Sequence, residues 1–178
     1  MANFNRRAFL LAAGASGALA LSGCASTPKK PIARVVVIGG GFGGATAAKY
    51  IRLWEPRIEV VLVEPNPAFV SCPLSNLVLA GERTIESLTT GYDALGARHG
   101  VKVVRDLAVA VDPDKREVRL GRGEVLSYDR LIVAPGIEFQ YEDIPGLATA
   151  ASRERVLHAW KAGAQTVALR KQLEAIPD

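Results

Sequence analysis

The sequence predicts an α/β fold in which a parallel β-sheet is combined with an antiparallel β-meander. Three observations predict it: an apolar β-branched run that leads into a group of glycines, a second apolar run that ends in an acid, and a later region of short strands separated by turn residues. Continuous apolar runs of this kind are typical of buried parallel strands. The 178 residues are enough for one such domain preceded by a leader.

The first 24 residues have the organisation of an export signal. Arg6 and Arg7 precede an uncharged apolar run over residues 8–23, and a charged region followed by an apolar one is the order found in such signals. The segment NRRAFL resembles the twin-arginine motif of proteins that are exported already folded. A transmembrane anchor is the alternative, although many Gly and Ala residues make the run only moderately apolar. We therefore expect a periplasmic protein.

The end of the leader has two interpretations. The segment LSGC resembles a lipoprotein box, in which Cys24 would be lipidated and would anchor the protein to a membrane. Ordinary cleavage near Ala25 would instead remove Cys24. Residues 25–33 follow as a polar linker that contains prolines.

Charge and cysteine content exclude several classes of protein. The formal net charge is +4, but five positive charges and no acid lie in the first 34 residues, so the rest of the chain is near neutral. A body without excess positive charge does not predict nucleic-acid binding. No Cys and His cluster has the spacing of metal ligands, and two cysteines exclude a disulfide framework. We therefore predict neither a nucleic-acid partner nor a metal site.

The glycines after the first apolar run fit the pattern G-x-G-x-x-G. The run covers residues 35–38, and the motif glycines are Gly39, Gly41 and Gly44. The first glycine allows a tight turn, the second lets the backbone approach a pyrophosphate, and the third lets the following helix pack closely on the strand. A glycine-rich turn without a ligand is the alternative when the motif is taken on its own.

A helix is predicted over about residues 43–53, directly after the glycine turn. Its N-terminal N–H groups would point at the phosphates, because the N-terminus of a helix favours anions. Phe42 and Gly43, at the start of this helix, are therefore candidate cofactor-binding residues as well.

An acid follows the second apolar run. Residues 58–63 predict a strand, and Glu64, which Pro65 follows, lies 20 residues beyond Gly44. At this distance a Rossmann-type βαβ unit places the carboxylate that binds a ribose hydroxyl. A solvated charge at the end of the strand is the alternative. Strand, glycines, helix, strand and acid together predict dinucleotide binding, with Glu64 and Pro65 at the site, and an acid here argues against a 2′-phosphate.

Short strands separated by turn residues follow residue 100, and a return strand over residues 130–133 ends at Ala134, Pro135 and Gly136. The segment YDRLIVAPG resembles the YDxLvlATG segment of two-dinucleotide-binding-domain flavoproteins, with Pro135 in place of the usual Thr. The resemblance implies that the ligand is FAD rather than NAD. It also implies that the loop formed by Ala134, Pro135 and Gly136 passes close to the cofactor.

Two further segments carry a closer resemblance. EPNPAFVSCPLSNLVLAGERTIESLTTGYDAL and AWKAGAQTVALRKQLE are similar to the flavoprotein subunit of flavocytochrome c sulfide dehydrogenase. The resemblance implies that sulfide is the substrate, that FAD is the cofactor and that a c-type cytochrome subunit is the partner that takes the electrons. It also implies a covalent thioether between Cys72 and the flavin. From the residues alone, the alternative for Cys72 is a buried apolar cysteine.

The same resemblance predicts that the chain holds only the front of the FAD domain. Members of the family are roughly twice this length or more, and their redox-active cysteine pair lies C-terminal to the matching region. Residues 34–150 would form a partial Rossmann-type FAD-binding domain that stops before the second dinucleotide-binding domain. Residues 151–178, with a helix over about 156–175, would lead into that second domain. We therefore expect a missing C-terminal polypeptide as a partner and name no catalytic residue.

Three functions stay open at this point. The first is an exported FAD-dependent sulfide oxidoreductase of which this chain is the N-terminal portion. The second is a truncated product that binds flavin without turnover, which the length and the absent cysteine pair favour. The third is a related sulfide:quinone reductase or type II NADH dehydrogenase, against which the segment SCPLSN and the export leader argue.

Overall fold

The computed structural model describes residues 30–177, so the predicted export leader and the Cys24 lipidation site lie outside the described residues. The strands, in chain order, are β1 (Ala33–Ile38), β2 (Ile58–Val63), β3 (Ala68–Val70), β4 (Thr89–Gly91), β5 (Lys102–Val104), β6 (Ala108–Asp112), β7 (Glu117–Leu120), β8 (Val125–Ser127) and β9 (Arg130–Val133). The helices are α1 (Phe42–Trp54), α2 (Ser75–Leu79), α3 (Asp93–His99), α4 (Ala150–Arg155) and α5 (Ala164–Glu174). None of these described helices is long and apolar enough to cross a membrane.

A parallel four-stranded sheet in the order β5-β2-β1-β9 forms the centre of the fold. β1 pairs with β2 on one side and with β9 on the other, and Ile38 aligns with Val63 and with Val133. β2 and β9 have the bounds that the sequence predicts, whereas β1 begins at Ala33, before the predicted run. The β1-α1-β2 unit and its parallel neighbours confirm the predicted α/β fold.

The sheet is buried on both faces because its central strands consist of apolar, mostly β-branched residues. On one face, Val35 and Val37 pack with Ala48 of α1. On the other face, Val36 packs with Val118 of β7. Successive side chains of a strand point to opposite faces. The helices therefore pack on one face of β1, and the meander packs on the other.

The strands β6, β7 and β8 form a separate three-stranded antiparallel sheet, which confirms the predicted meander. The chain then returns along β9, which is one of the two edge strands of the parallel sheet. Apolar side chains are exposed at and after this edge, with Val133 62% and Ile137 70% accessible to solvent.

The C-terminal helix is shorter than the sequence predicts. The prediction of one helix over about residues 156–175 is wrong for residues 156–163, because α5 begins only at Ala164. The hydroxyl of Thr166 accepts a hydrogen bond from the N–H of Gly163 at 3.2 Å, and a side-chain acceptor for an N-terminal N–H fixes where a helix begins. The preceding segment instead packs beside Cys72, whose Sγ lies 3.5 Å from the backbone nitrogen of Ala162.

Candidate cofactor-binding site

The loops that follow β1, β2 and β9 meet at one edge of the parallel sheet. The three strands are neighbours in register, so their carboxyl ends bring Gly39, Glu64 and Ala134 together. Two backbone hydrogen bonds fasten these loops: the N–H of Gly39 donates to the carbonyl of Val63 at 2.9 Å, and the N–H of Ala134 donates to the carbonyl of Ile38 at 2.8 Å. Ligands of open α/β sheets bind outside this edge, so the structure groups the predicted residues where a ligand would lie.

Gly39 and Gly44 are both surrounded by backbone atoms. Gly39 has a φ of +94°, which residues with a side chain rarely adopt, and a Cβ there would lie 2.1 Å from the carbonyl oxygen of Ala134. A Cβ at Gly44 would lie 1.9 Å from the carbonyl oxygen of Gly39. Gly39 therefore allows the tight turn, and Gly44 allows α1 to pack closely on the end of β1, as the motif predicts.

Gly41 lies at the start of α1, where a Cβ would meet no backbone atom within 4 Å. A Cβ there would meet the ring of Phe69 at 3.6 Å, an ordinary contact distance. The helix begins at Phe42 with Gly43 in its first turn, and the first N–H groups of a helix have no acceptor within the helix. A pyrophosphate close to Gly41 would provide those acceptors. Gly41 and the helix N-terminus therefore fit the predicted phosphate site.

Glu64 is buried and held in one orientation. Its side chain is 8% exposed, and Oε2 accepts a hydrogen bond from the N–H of Gly40 at 2.7 Å. Oε1 accepts two hydrogen bonds from Asn66, from the backbone N–H at 2.9 Å and from the side-chain amide at 2.7 Å. The alternative of a solvated strand-end charge is wrong. A carboxylate oxygen has two lone pairs, so Oε2 can still accept from a ribose hydroxyl, and this role stays a prediction.

Tyr92 and Arg105 pack beside the Glu64 loop. A Cβ at Gly40 would lie 2.5 Å from the Tyr92 hydroxyl oxygen, and the Arg105 guanidinium lies 5.0 Å from the centre of the Tyr92 ring. Arg105 also donates to the backbone carbonyls of Asn66 and Pro67. Burial raises the pKa of Tyr92 to about 12, and the nearby charge of Glu64 adds to the increase while Arg105 opposes it. The phenol therefore stays neutral at ordinary pH.

Sequence reasoning missed Asn66, which holds the Glu64 carboxylate, and Arg105, which holds the loop that follows it. Asn66 has a weak signal, because it follows the strand-end acid by two positions in a proline-bounded turn, where Asn often bonds to the nearby chain. Arg105 has none, since it reaches this loop from the far end of β5 only after the sheet has formed.

The remaining candidate residues lie in exposed loops. Pro65, Pro135 and Gly136 are exposed, and Gly136 has a φ of +79° with no atom within 4 Å of where a Cβ would be. Their contact with a cofactor stays a prediction. Across residues 30–177, no group of three or more His, Cys, Asp or Glu side chains is placed to hold a metal ion.

Cys72 is exposed, so the alternative of a buried apolar cysteine is wrong. The residues beside it, Ser71 and Leu74, line a cavity of about 570 Å³ that Gly41 and Phe42 also border. The Cys72 loop therefore lies on the same side of the molecule as the glycine turn, which a covalent bond to a bound flavin would require. The thioether itself stays a prediction.

Comparison with known proteins identifies the family. Residues 33–174 match the family described as pyridine nucleotide-disulphide oxidoreductase. The chain belongs to this family. Several known proteins resemble it in sequence or structure.

The sulfide dehydrogenase (flavocytochrome c) flavoprotein chain of Chlorobaculum thiosulfatiphilum is 67% identical over 45 residues, which are 25% of this chain and 94% of that sequence. The mitochondrial sulfide:quinone oxidoreductase of Mus musculus is 34% identical over 113 residues, 64% of this chain and 25% of that protein. The X-ray structure of the sulfide:quinone oxidoreductase of Aquifex aeolicus superposes with a TM-score of 0.67 at 26% identity, over 79% of this chain and 31% of that one.

These similarities confirm the α/β fold and the resemblance to flavoproteins named for sulfide oxidation. The chain spans only 25% and 31% of the two sulfide:quinone oxidoreductases. The cytochrome partner, the covalent flavin and the export of the protein stay predictions.

Replacing Glu64 by glutamine in this pyridine nucleotide-disulphide oxidoreductase is expected to weaken FAD binding about tenfold or more. Glutamine keeps the size of the side chain but removes the negative charge, and hydrogen bonds to charged groups contribute about 1.5–3 kcal/mol. Fluorescence quenching of FAD titrated with the full chain measures the affinity. Glu59→Gln is the matched control, because Glu59 lies on β2, the strand that Glu64 follows, but pairs with Arg34 at 2.6 Å. Equal affinity of Glu64→Gln and the unmodified chain would contradict the assignment.

Proposed function

We propose that this chain is the FAD-binding N-terminal part of an exported flavoprotein that oxidises sulfide. The observation that carries FAD binding is the buried Glu64 carboxylate, which is bonded to Gly40 of the glycine turn at 2.7 Å and so lies next to the phosphate site. The choice of sulfide is supported by the 67% identity with a sulfide dehydrogenase flavoprotein chain.

The described residues offer a place for each part of the adenosine diphosphate half of FAD. The pyrophosphate would lie at Gly41 and the start of α1, and the ribose would bond to Glu64. Asn66 and Gly40 hold the carboxylate before the cofactor arrives, and a preorganised site loses less free energy on binding. When bound, the flavin would accept two electrons from sulfide and would pass them to an electron acceptor.

The proposal includes a further polypeptide that completes the domain. Parallel sheets are normally covered on both faces, and exposed edge strands readily pair with another strand. Here β9 is at the edge, and Val133 and Ile137 are exposed beside it. The lengths of the relatives support the same view, since the chain spans 31% of the Aquifex aeolicus enzyme. We place the added strand along the free side of β9.

Two electron acceptors remain candidates. The similarity to the flavocytochrome c flavoprotein chain favours a c-type cytochrome subunit. The similarity to sulfide:quinone oxidoreductases, which covers more of this chain, favours a quinone. We propose the cytochrome, because the higher identity is to the flavoprotein chain and because the leader resembles an export signal.

Sulfide-dependent reduction of cytochrome c is expected to be negligible with this chain alone and to appear when the C-terminal polypeptide is supplied. The sulfur atom needs an acceptor group, and Cys72 is the single free cysteine among the described residues. Stopped-flow absorbance with cytochrome c and, in parallel, with a soluble ubiquinone measures turnover and acceptor preference. Faster reduction of the ubiquinone would favour the second candidate. Turnover by the chain alone, at the rate of a full-length relative, would contradict the proposal.

Export through the twin-arginine route is part of the proposal. It is supported by Arg6 and Arg7 before the uncharged apolar run. Replacing both arginines by lysine is expected to retain the protein in the cytoplasm, because that route distinguishes the pair from other basic residues. Cell fractionation measures the location. Cys24→Ala serves as the parallel variant: loss of membrane association without loss of export would support a lipid anchor at Cys24.

A further inference from the structure

The cavity of about 570 Å³ that reaches the glycine turn has a mostly apolar lining with several basic residues on its wall. It lies between α1, α3 and the hairpin formed by β3 and β4, and Lys49, Arg83, Arg98 and His99 all contribute to its wall. No carboxylate lines it, and the acids that neighbour these residues in sequence do not face it: Glu82, Glu86 and Asp93.

The basic part of the cavity is separate from the proposed FAD site. The end that the flavin would reach is bordered by the glycine turn and by residues near Cys72: Gly40, Gly41, Phe42, Ser71 and Leu74. Neither Glu64 nor Ala134 lines the cavity. Lys49 lies seven residues along α1 from Phe42, which corresponds to about 10 Å of helix at 1.5 Å per residue. A pyrophosphate bound at the helix N-terminus would therefore leave the charge of Lys49 uncompensated.

These cations have no anionic partner in the part of the chain that the structure describes. Lys49, Arg83 and Arg98 occur in none of its ion pairs, and Lys49 makes only a cation–π contact with Tyr50, at 5.6 Å. Exposed lysines and arginines are often simply solvated, but here they share one concave wall. Like charges around a cleft raise its positive potential and concentrate anions in it.

We propose that this cavity binds a small organic dianion, a phosphate monoester with an apolar body. The guanidinium groups of Arg83 and Arg98 suit the phosphate, because two parallel N–H groups match two of its oxygens. Leu88 and Leu95 also line the cavity and would contact the apolar body. The volume lies within the roughly 300–1,000 Å³ of small-molecule pockets. The phosphate would lie on the basic wall, apart from the end that Gly41 and Phe42 border, so FAD and the dianion would bind together.

Phenyl phosphate is the probe, with phenol as the neutral molecule of the same apolar shape. Isothermal titration calorimetry on the full chain, with and without saturating FAD, is expected to detect phenyl phosphate in both states and to detect phenol at least about tenfold more weakly. The double variant Lys49→Gln/Arg98→Gln is expected to lose at least tenfold in affinity. Arg155→Gln/Lys171→Gln removes the same charge from residues that do not line the cavity and is expected to bind like the unmodified chain.

Arg83→Gln provides a second test outside the helices, in case the double variant does not fold, and is expected to weaken binding several-fold. Circular dichroism checks the fold of each variant. Equal binding of phenol and phenyl phosphate, unchanged affinity in folded Lys49→Gln/Arg98→Gln or Arg83→Gln, or an equal loss in the control variant would overturn the proposal. Displacement of phenyl phosphate by FAD would also overturn it, since the anion would then belong to the cofactor site.

Discussion

Alanine at position 44 is expected to unfold the glycine turn and to abolish FAD binding in the same variant. The added Cβ would lie 1.9 Å from the carbonyl oxygen of Gly39 and 3.2 Å from a methyl carbon of Val37. Gly39 has little room to move aside, because it packs so closely against Ala134 that a Cβ on it would lie 2.1 Å from the carbonyl oxygen of Ala134. We expect the free energy of unfolding to fall by at least about 3 kcal/mol, as for severe steric substitutions.

Urea unfolding followed by far-UV circular dichroism measures the stability, and FAD fluorescence measures binding. Gly96→Ala is the matched control, because Gly96 is also a helical glycine but its Cβ would lie 3.6 Å from the nearest atom, the carbonyl oxygen of Val101. Alanine is favoured over glycine in helices by about 1 kcal/mol, so this control should be as stable as the unmodified chain or more so. A Gly44→Ala chain with unchanged midpoint and FAD affinity would show that α1 does not pack on Gly39.

The parallel sheet and the site at its edge could be predicted from the sequence because their signals are local. Apolar runs give the bounds of β2 and β9, and α1 extends only one residue beyond the predicted helix at each end. The spacing from Gly44 places Glu64 at the site because strand, turn and helix have fixed lengths per residue. A motif contained in one βαβ unit therefore predicts the relative positions of its own residues.

The residues that pack around the Glu64 loop could not be predicted, because they come together only in the folded chain. The phenol of Tyr92 packs beside Gly40, and Arg105 reaches the carbonyl of Pro67 at 2.9 Å; no local spacing relates these residues. The start of the C-terminal helix was predicted wrongly for a different reason. Residues 156–163 have helical composition, but Thr166 caps the helix at Gly163 and so sets a later start.

Cys72 is expected to carry FAD through a thioether when the cofactor site is complete. Cys72 is exposed, and its Sγ lies 3.5 Å from the backbone nitrogen of Ala162, which places the sulfur beside the segment before α5. A thiol held near the 8α carbon of the flavin has a high effective concentration, and its thiolate is a strong nucleophile. The bond replaces one hydrogen on sulfur and one on the 8α carbon, and dioxygen in an aerobic preparation takes the two electrons released.

The thioether is tested by measuring the intact mass of the denatured chain. The protein is produced with flavin and with the C-terminal polypeptide supplied. The unmodified chain is expected to gain the mass of one FAD, and Cys72→Ser is expected to lose that gain entirely while still binding FAD reversibly. Cys24→Ser is the matched control, because Cys24 is the other cysteine of the chain and lies in the predicted leader. Complete release of FAD by acid, with Cys72 still open to alkylation, would rule out the bond, since a thioether survives both acid and denaturant.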